Sequence, residues 1–204
     1  DTAAACALGV AIAQSRGGDA VAVLTADHII GNAETFRGTL ADSLELCRQG
    51  DALITMGIEP AYASTGYGYI ETGEAVPAET ATEFVRARRF VEKPDDALAR
   101  EYLEAGNYYW NSGMFVWSVE TFVRAMRTHV PHLADLIDAV RQTPDYAGTM
   151  AALPDLYEPL PKISIDYALM EKASNIVTAV ARFGWDDVGA WPALANHYPQ
   201  DEGG

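Results

Sequence analysis

The sequence predicts an α/β fold, and three observations predict it. Two continuous apolar runs of strand length, AVAVL at 20–24 and ALITMGI at 52–58, have the composition of strands covered on both faces. Stretches with apolar residues at helical spacing alternate with these runs, as crossover connections require. Gly17-Gly18, Gly50, Pro60 and Gly106 fall at the junctions, where the chain has to stop one element and turn into the next.

Taken in order, residues 2–15 predict a small-residue helix that Gly17-Gly18 ends. The run 20–24 predicts a short, fully buried strand leading into TADH. Over 33–48 the spacing of Phe36, Leu40, Leu44 and Cys47 predicts an amphipathic helix stopped by Gly50, and 52–58 is the next buried strand. The texture then changes. STGYGYIE at 64–71 reads as a Gly-punctuated loop and short strand, and EFVRARRFVEKP at 83–94 as a longer strand. A helix over 95–105 closes at Gly106, and NYYWNSGMFVW at 107–117 is an aromatic strand. Residues 119–152 read as largely helical with breaks at Pro131 and Pro144, and 164–173 as a short helix. The strand 175–183 runs into GWDDVGAW and a final helix. The sequence has no repeats or low-complexity tracts, so one compact domain with inserted strands is expected over 1–198, followed by a tail at 199–204.

Composition narrows the class. The 204 residues are 49% apolar and 21% charged, an ordinary globular profile. Lys and Arg number 14 against 29 acids, a net charge of −15 that argues against a nucleic-acid or anionic-membrane surface. No apolar run approaches the roughly 20 residues of a membrane span, and the opening DTAAACALGV lacks the basic flank of a signal peptide. A soluble, cytoplasmic protein is therefore expected, with Cys6 and Cys47 as buried, reduced thiols. The chain begins at Asp1 with a helix already under way, so it reads as a fragment cut at its front.

Polar groups gather at strand ends, where ligands bind in open α/β sheets. In RRFVEKPDD a strand stops at Glu92, Lys93 and Pro94, an acceptor and a point cation side by side. Asp27 follows the first strand and Asp186-Asp187 the last; each is either a turn or helix cap, or a carboxylate suited to Mg²⁺. Gly66-Tyr67-Gly68-Tyr69 is either a twisted hairpin or a close backbone approach to a ligand. Asn111 and Ser112 interrupt an aromatic strand, and an unpaired buried polar group costs about 1–3 kcal/mol. They either bond to backbone in a bulge or reach a ligand. His28, His129, His132 and His197 lack zinc spacing, and no G-x-S-x-G, phosphate-binding G-x-x-x-x-G-K or C-x-x-C is present.

Taken together and in this order, LTADH, TGYGYIE, RFVEKP, YYWNSGMFVW, SIDYALMEKA and GWDDVGAW resemble the sugar-1-phosphate nucleotidyltransferases, and within them the mannose-1-phosphate guanylyltransferases. The resemblance covers residues 1–198 and implies a Rossmann-like nucleotidyltransferase fold with a mixed, mostly parallel sheet flanked by helices. It implies GTP and mannose-1-phosphate as partners, GDP-mannose and pyrophosphate as products, and Mg²⁺ as cofactor, and it allows a homodimer. By the family pattern Asp27 and Asp187 hold the metal and Lys93 neutralises the sugar phosphate. Glu92 accepts from mannose hydroxyls, and Gly66, Tyr67, Gly68, Asn111 and Asp166 complete the sugar pocket. The sequence departs from the pattern in three places. The family's G-G-x-G-x-R-L-x-P loop is absent and is expected upstream of Asp1, DTAAA stands for N-T-A-P-A, and Thr25 stands for Pro. Two alternatives stay open: a nucleotidyltransferase for another nucleotide and hexose phosphate, or an inactive sugar-phosphate-binding subunit.

Overall fold

The structure, a computed structural model, describes residues 2–189 together with Trp191, Ala193 and His197. The chain opens with helix α1 (Thr2–Ser15), strand β1 (Ala20–Val23), a two-residue strand β2 (Ile29–Ile30), helix α2 (Ala33–Gln49) and strand β3 (Leu53–Ile58). Strands β4 (Tyr69–Val76) and β5 (Phe84–Val91) follow, then helix α3 (Asp96–Ala105) and the long strand β6 (Tyr108–Ser118). Helices α4 (Val119–His129), α5 (Pro131–Arg141) and α6 (Tyr146–Tyr157) lead to a π-helical turn (Asp166–Met170) and strands β7 (Ile176–Ala181) and β8 (Trp185–Asp186).

Local chemistry sets these boundaries. Gly17 adopts φ 77 just past α1, and the Gly18 N–H reaches back to the Ala13 carbonyl at 2.8 Å. Asn32 caps α2 by accepting from the Glu34 and Thr35 N–H groups at 3.1 and 3.0 Å. Asp95 caps α3 through the Leu98 N–H at 2.9 Å, and Gly106 at φ 71 ends it. Pro131 opens α5 at its first turn, where its missing N–H costs nothing.

Among the described residues, one six-stranded sheet runs β1-β6-β3-β7-β5-β4, and β2 with β8 forms a separate antiparallel ribbon. The registers orient β1, β3, β4 and β7 one way and β5 and β6 the other. Because β6 separates β1 from β3 and β5 separates β7 from β4, only β3 and β7 pair in parallel. The expected mixed sheet is present, but its described pairings are mainly antiparallel, which corrects the expectation of a mostly parallel one. The early residues of β6 also pair with β4, so β3, β7, β5, β4 and β6 close into a ring of pairings.

Apolar layers cover both faces. On one face Phe115 and Trp117 of β6 pack with α1, α4 and α5; on the other Met114 and Val116 pack with Cys47, Phe36 and Leu44 of α2. Cys6 and Cys47 are free and buried in these opposite layers. Burial, reinforced by the nearby Asp166 charge, pushes the Cys6 thiol up to about 12, and burial pushes Cys47 up to about 11.

Three element readings change. Strand β1 is half-buried along its length, since it sits at the edge of the sheet formed by the described residues, pairing there with β6. The short helix expected over 164–173 is a π-helical turn, in which the Glu171 N–H bonds the Asp166 carbonyl at 2.9 Å. The helical stretch expected over 119–152 continues in α6 to Tyr157, with Pro154 inside the helix. The final helix expected after GWDDVGAW falls outside the described residues.

Candidate active site

Four elements meet where β6 begins. Gly57 near the end of β3 lies opposite Asn111, and the Asn111 N–H donates to the Gly68 carbonyl at 2.8 Å. Tyr69 at the start of β4 pairs with both Trp110 of β6 and Val91 at the end of β5. Glu92 is thereby brought over Gly68, with Lys93 next in the chain. A Cβ added to Gly68 would fall 2.6 Å from Glu92 Oε2 and 3.5 Å from Asn111 Cβ, so the missing side chain is the space that the Glu92 carboxylate occupies.

Glu92 and Lys93 are differently disposed. The Glu92 side chain is 17% exposed, whereas that of Lys93 is 62% exposed, with its Nζ a loose 3.9 Å from Glu92 Oε1. Lys93 takes φ 44, a left-handed conformation uncommon for a residue with a side chain, and buried Pro94 follows it. The backbone therefore turns sharply at the strand end and leaves the ammonium group unsequestered. Burial raises the Glu92 carboxyl above its ordinary value; the Asp166 charge adds to this and Lys93 opposes it.

Asn111 is already occupied. Its Nδ2 donates to Asp166 Oδ1 at 2.9 Å, while its Oδ1 accepts from the Thr55 hydroxyl at 3.2 Å and the Gly113 N–H at 3.1 Å. It orients Asp166, which opens the π-helical turn. Burial raises the Asp166 carboxyl, opposed by hydrogen bonds from Asn111 and Ser164 and by the Lys93 charge. Ser112 takes the backbone option: its hydroxyl donates to the Met56 carbonyl at 2.7 Å beside a register irregularity in β3. The side chain of Tyr69 is fully buried, its hydroxyl oxygen accepting from the Ser64 N–H at 2.9 Å, so it supports the loop from behind.

The carboxylates expected to bind metal are gathered by the β2–β8 ribbon. Ile29 pairs with Asp186, so Asp27 and Asp187 leave the same end of the ladder. Their charges, with that of Asp186, act to raise His28, but burial outweighs them and lowers it. His28 Nδ1 accepts from Trp185 Nε1 at 2.9 Å, a tie between the segments that carry Asp27 and Asp187. Asp187 Oδ1 accepts from the Tyr67 hydroxyl at 2.8 Å and the Gly189 N–H at 3.2 Å. Asp186 instead caps its own turn, accepting from the Val188 N–H at 2.8 Å and lying 2.7 Å from His197 Nε2. A cavity of about 370 Å³ opens beside this turn, lined by Tyr62, Ser64, Gly66, Tyr67, Asp186 and Asp187 among others.

The profile of the nucleotidyl transferase family matches residues 1–203. The chain belongs to the nucleotidyl transferase family. A Klebsiella pneumoniae member named mannose-1-phosphate guanylyltransferase is 37% identical over 206 residues, covering 100% of this chain and 43% of that protein. The Xanthomonas campestris xanthan biosynthesis protein XanB is 38% identical over 203 residues, covering 98% of this chain and 42% of its own length. The chain thus spans less than half the length of these curated relatives. A solved Thermus thermophilus structure described as a "mannose-1-phosphate geranyltransferase" superposes with TM-score 0.84 at 40% identity, over 98% of this chain and 56% of that one. A Helicobacter pylori structure described as mannose-6-phosphate isomerase shares the fold, with TM-score 0.70 at 23% identity over 91% of this chain and 70% of its own.

For a member of the nucleotidyl transferase family, the donor set suits a hard divalent cation. Asp27 and Asp187 offer oxygen ligands at one end of the ribbon, and both described hydrogen bonds to Asp187 fall on Oδ1. Among the described residues no group of three or more His, Cys, Asp or Glu side chains is arranged around one point, so such a cation would need oxygens from elsewhere, as phosphates provide. Sequence reasoning placed Tyr67 in the sugar pocket but missed three ties of the constellation: the Tyr67 hydroxyl bond to Asp187, the Trp185–His28 tie, and Thr55 behind Asn111. Their partners lie 120, 157 and 56 residues away, too far for any local spacing to signal.

Proposed function

We propose that the chain is the sugar-phosphate and metal-carboxylate portion of a mannose-1-phosphate guanylyltransferase, which joins mannose-1-phosphate to GTP and releases pyrophosphate. The observation that carries this reading is the seating of Glu92 over Gly68, with exposed Lys93 next to it in sequence, beside the Asn111–Asp166 pair and one residue from the Tyr67 that bonds Asp187. The names of the relatives support the choice of mannose-1-phosphate and guanosine.

A sugar-phosphate oxygen forms a bond to the α-phosphorus of GTP while the bond from that phosphorus to the β-bridging oxygen breaks. The displaced electron pair leaves with pyrophosphate. No covalent enzyme intermediate is needed, so positioning and charge neutralisation carry the catalysis. Lys93, exposed and only loosely paired, meets the sugar phosphate as a point cation. Glu92 and Asp166, held by burial and by Asn111, accept from mannose hydroxyls. Asp27 and Asp187 would hold Mg²⁺, which when bound neutralises developing charge on phosphate oxygens. Two free, buried thiols suit a reducing cytoplasm as the setting.

The test is pyrophosphate release by the full-length protein, with GTP, ATP, UTP and dTTP each offered with mannose-1-phosphate and glucose-1-phosphate. Turnover should be greatest with GTP and mannose-1-phosphate and should stop when EDTA removes divalent cations. A preference for UTP with glucose-1-phosphate would overturn the guanylyltransferase reading, and absence of turnover with every pair would overturn the enzyme reading. Lys93→Ala should raise KM for the sugar phosphate about tenfold or more, the loss of one charge-assisted contact.

A further inference from the structure

Tyr67 is held more firmly than a sugar-pocket wall requires. Its ring sits between Trp110 of β6, at a centroid distance of 4.9 Å, and Trp185 of β8, at 5.2 Å, both edge-on. Those contacts leave the hydroxyl little freedom in where it lies, and it lies 2.8 Å from Asp187 Oδ1 across 120 residues of sequence. Asp187 needs such a tie. The next residue, Val188, takes φ 49, a costly left-handed conformation for a β-branched residue, so the carboxylate stands on a tight turn rather than a regular element. Inside that turn the described tie to Asp187 is the Gly189 N–H at 3.2 Å, whereas the 2.8 Å bond from Val188 goes to Asp186. Tyr67 also adjoins Gly68, the floor beneath Glu92, so one side chain joins the sugar loop to the metal turn.

We infer that Tyr67 is a positioning residue: its hydroxyl fixes Asp187 Oδ1 so that the carboxylate faces a divalent cation, and it couples cation binding to occupancy of the sugar side. The inference rests on the proposed role of Asp187 toward a cation. Tyr67→Phe deletes the hydroxyl and keeps the ring contacts, which separates positioning from packing.

The probe is Mn²⁺, its free concentration read by electron paramagnetic resonance in the presence of the full-length protein, with and without mannose-1-phosphate. Native protein should bind Mn²⁺ more tightly when mannose-1-phosphate is present. In Tyr67→Phe the Mn²⁺ Kd should rise about 10- to 100-fold, the usual cost of losing a partner that orients a metal ligand. The enhancement by mannose-1-phosphate should vanish while Tm stays within a few degrees of native. Replacing Tyr67 with p-aminophenylalanine, which restores a donor at the same place, should recover most of the affinity; failure of that rescue would count against the hydroxyl's role. Equal Mn²⁺ affinity in native protein and Tyr67→Phe would overturn the inference and leave the proposed function standing. Native protein that binds no Mn²⁺ would overturn both the inference and the metal role. Native protein that binds Mn²⁺ and loses it on Tyr67→Phe, yet releases no pyrophosphate, would uphold the inference and sink the proposed reaction.

Discussion

At Gly68 the nearest atom to an added Cβ is the tip of the Glu92 side chain, a group that can swing aside. Gly68→Ala should therefore fold nearly as the native chain does while displacing Glu92 from the pocket. We expect KM for the sugar phosphate to rise about tenfold, the equivalent of one lost hydrogen bond to a charged group, with little change in Tm. An unchanged KM would mean that Glu92 does not touch the sugar. The carboxyls of Glu92, Asp166 and Glu171 raise a second residue-scale question, because burial lifts all three above their ordinary values of 4.5, 3.8 and 4.5. For a carboxyl raised in the folded state, stability is fully present below the unfolded value and is lost as pH climbs through the folded one. In the ligand-free chain this cluster therefore costs stability as pH rises above those ordinary values. Asp166→Asn removes one charge and can still accept the hydrogen bond from Asn111. It should flatten that loss in a Tm series taken upward from about pH 4, because burial raises all three carboxyls above their ordinary values. A series parallel to the native one would show that Asp166 contributes nothing to the pH dependence.

Caps and turns act at the scale of the element. Asn32 satisfies two orphan N–H groups at the start of α2, immediately after the β2–β8 ribbon that gathers Asp27 and Asp187. Asn32→Ala should cost about 1 kcal/mol, read as a lower denaturant midpoint at unchanged slope. Such local devices are what sequence reveals well. The C-terminal ends of α1, α2 and α3 were legible because Gly17, Gly50 and Gly106 each act within a few residues of themselves. Strand β6 was legible as an aromatic strand for the same reason, but the division of its side chains between the two layers was not. Nor was the strand order, because nothing in β6 alone says that it lies between β1 and β3. The site divides along the same line. Glu92 and Lys93 stand out where a strand ends, but the commitment of Asn111 to Asp166 needs a turn 55 residues away, and its π-helical form depends on packing rather than pattern.

Over the whole molecule β6 is the organising strand: among the described residues it pairs with β1, β3 and β4, and its residues reach both apolar layers. Trp117 is fully buried on it, stacked with Phe115 at 5.5 Å and Phe122 of α4 at 4.7 Å. Trp117→Ala should destabilise by about 3–5 kcal/mol, measured by equilibrium denaturation, because the sheet and α4 collapse poorly into the space left. A loss below about 1 kcal/mol would show that the layers tolerate such a vacancy, contrary to close packing. The free thiols carry one more consequence. Cys6 lies in the α1 layer and Cys47 in the α2 layer, each sealed from solvent and protonated at neutral pH, and therefore inert toward thiol reagents while the chain stays closed. A reagent such as iodoacetamide can mark either sulfur only in the moments when its own layer lifts away from the sheet. The unmutated protein thus carries two stopwatches, one under each side of the sheet, and the ratio of their labelling rates tells which side opens first.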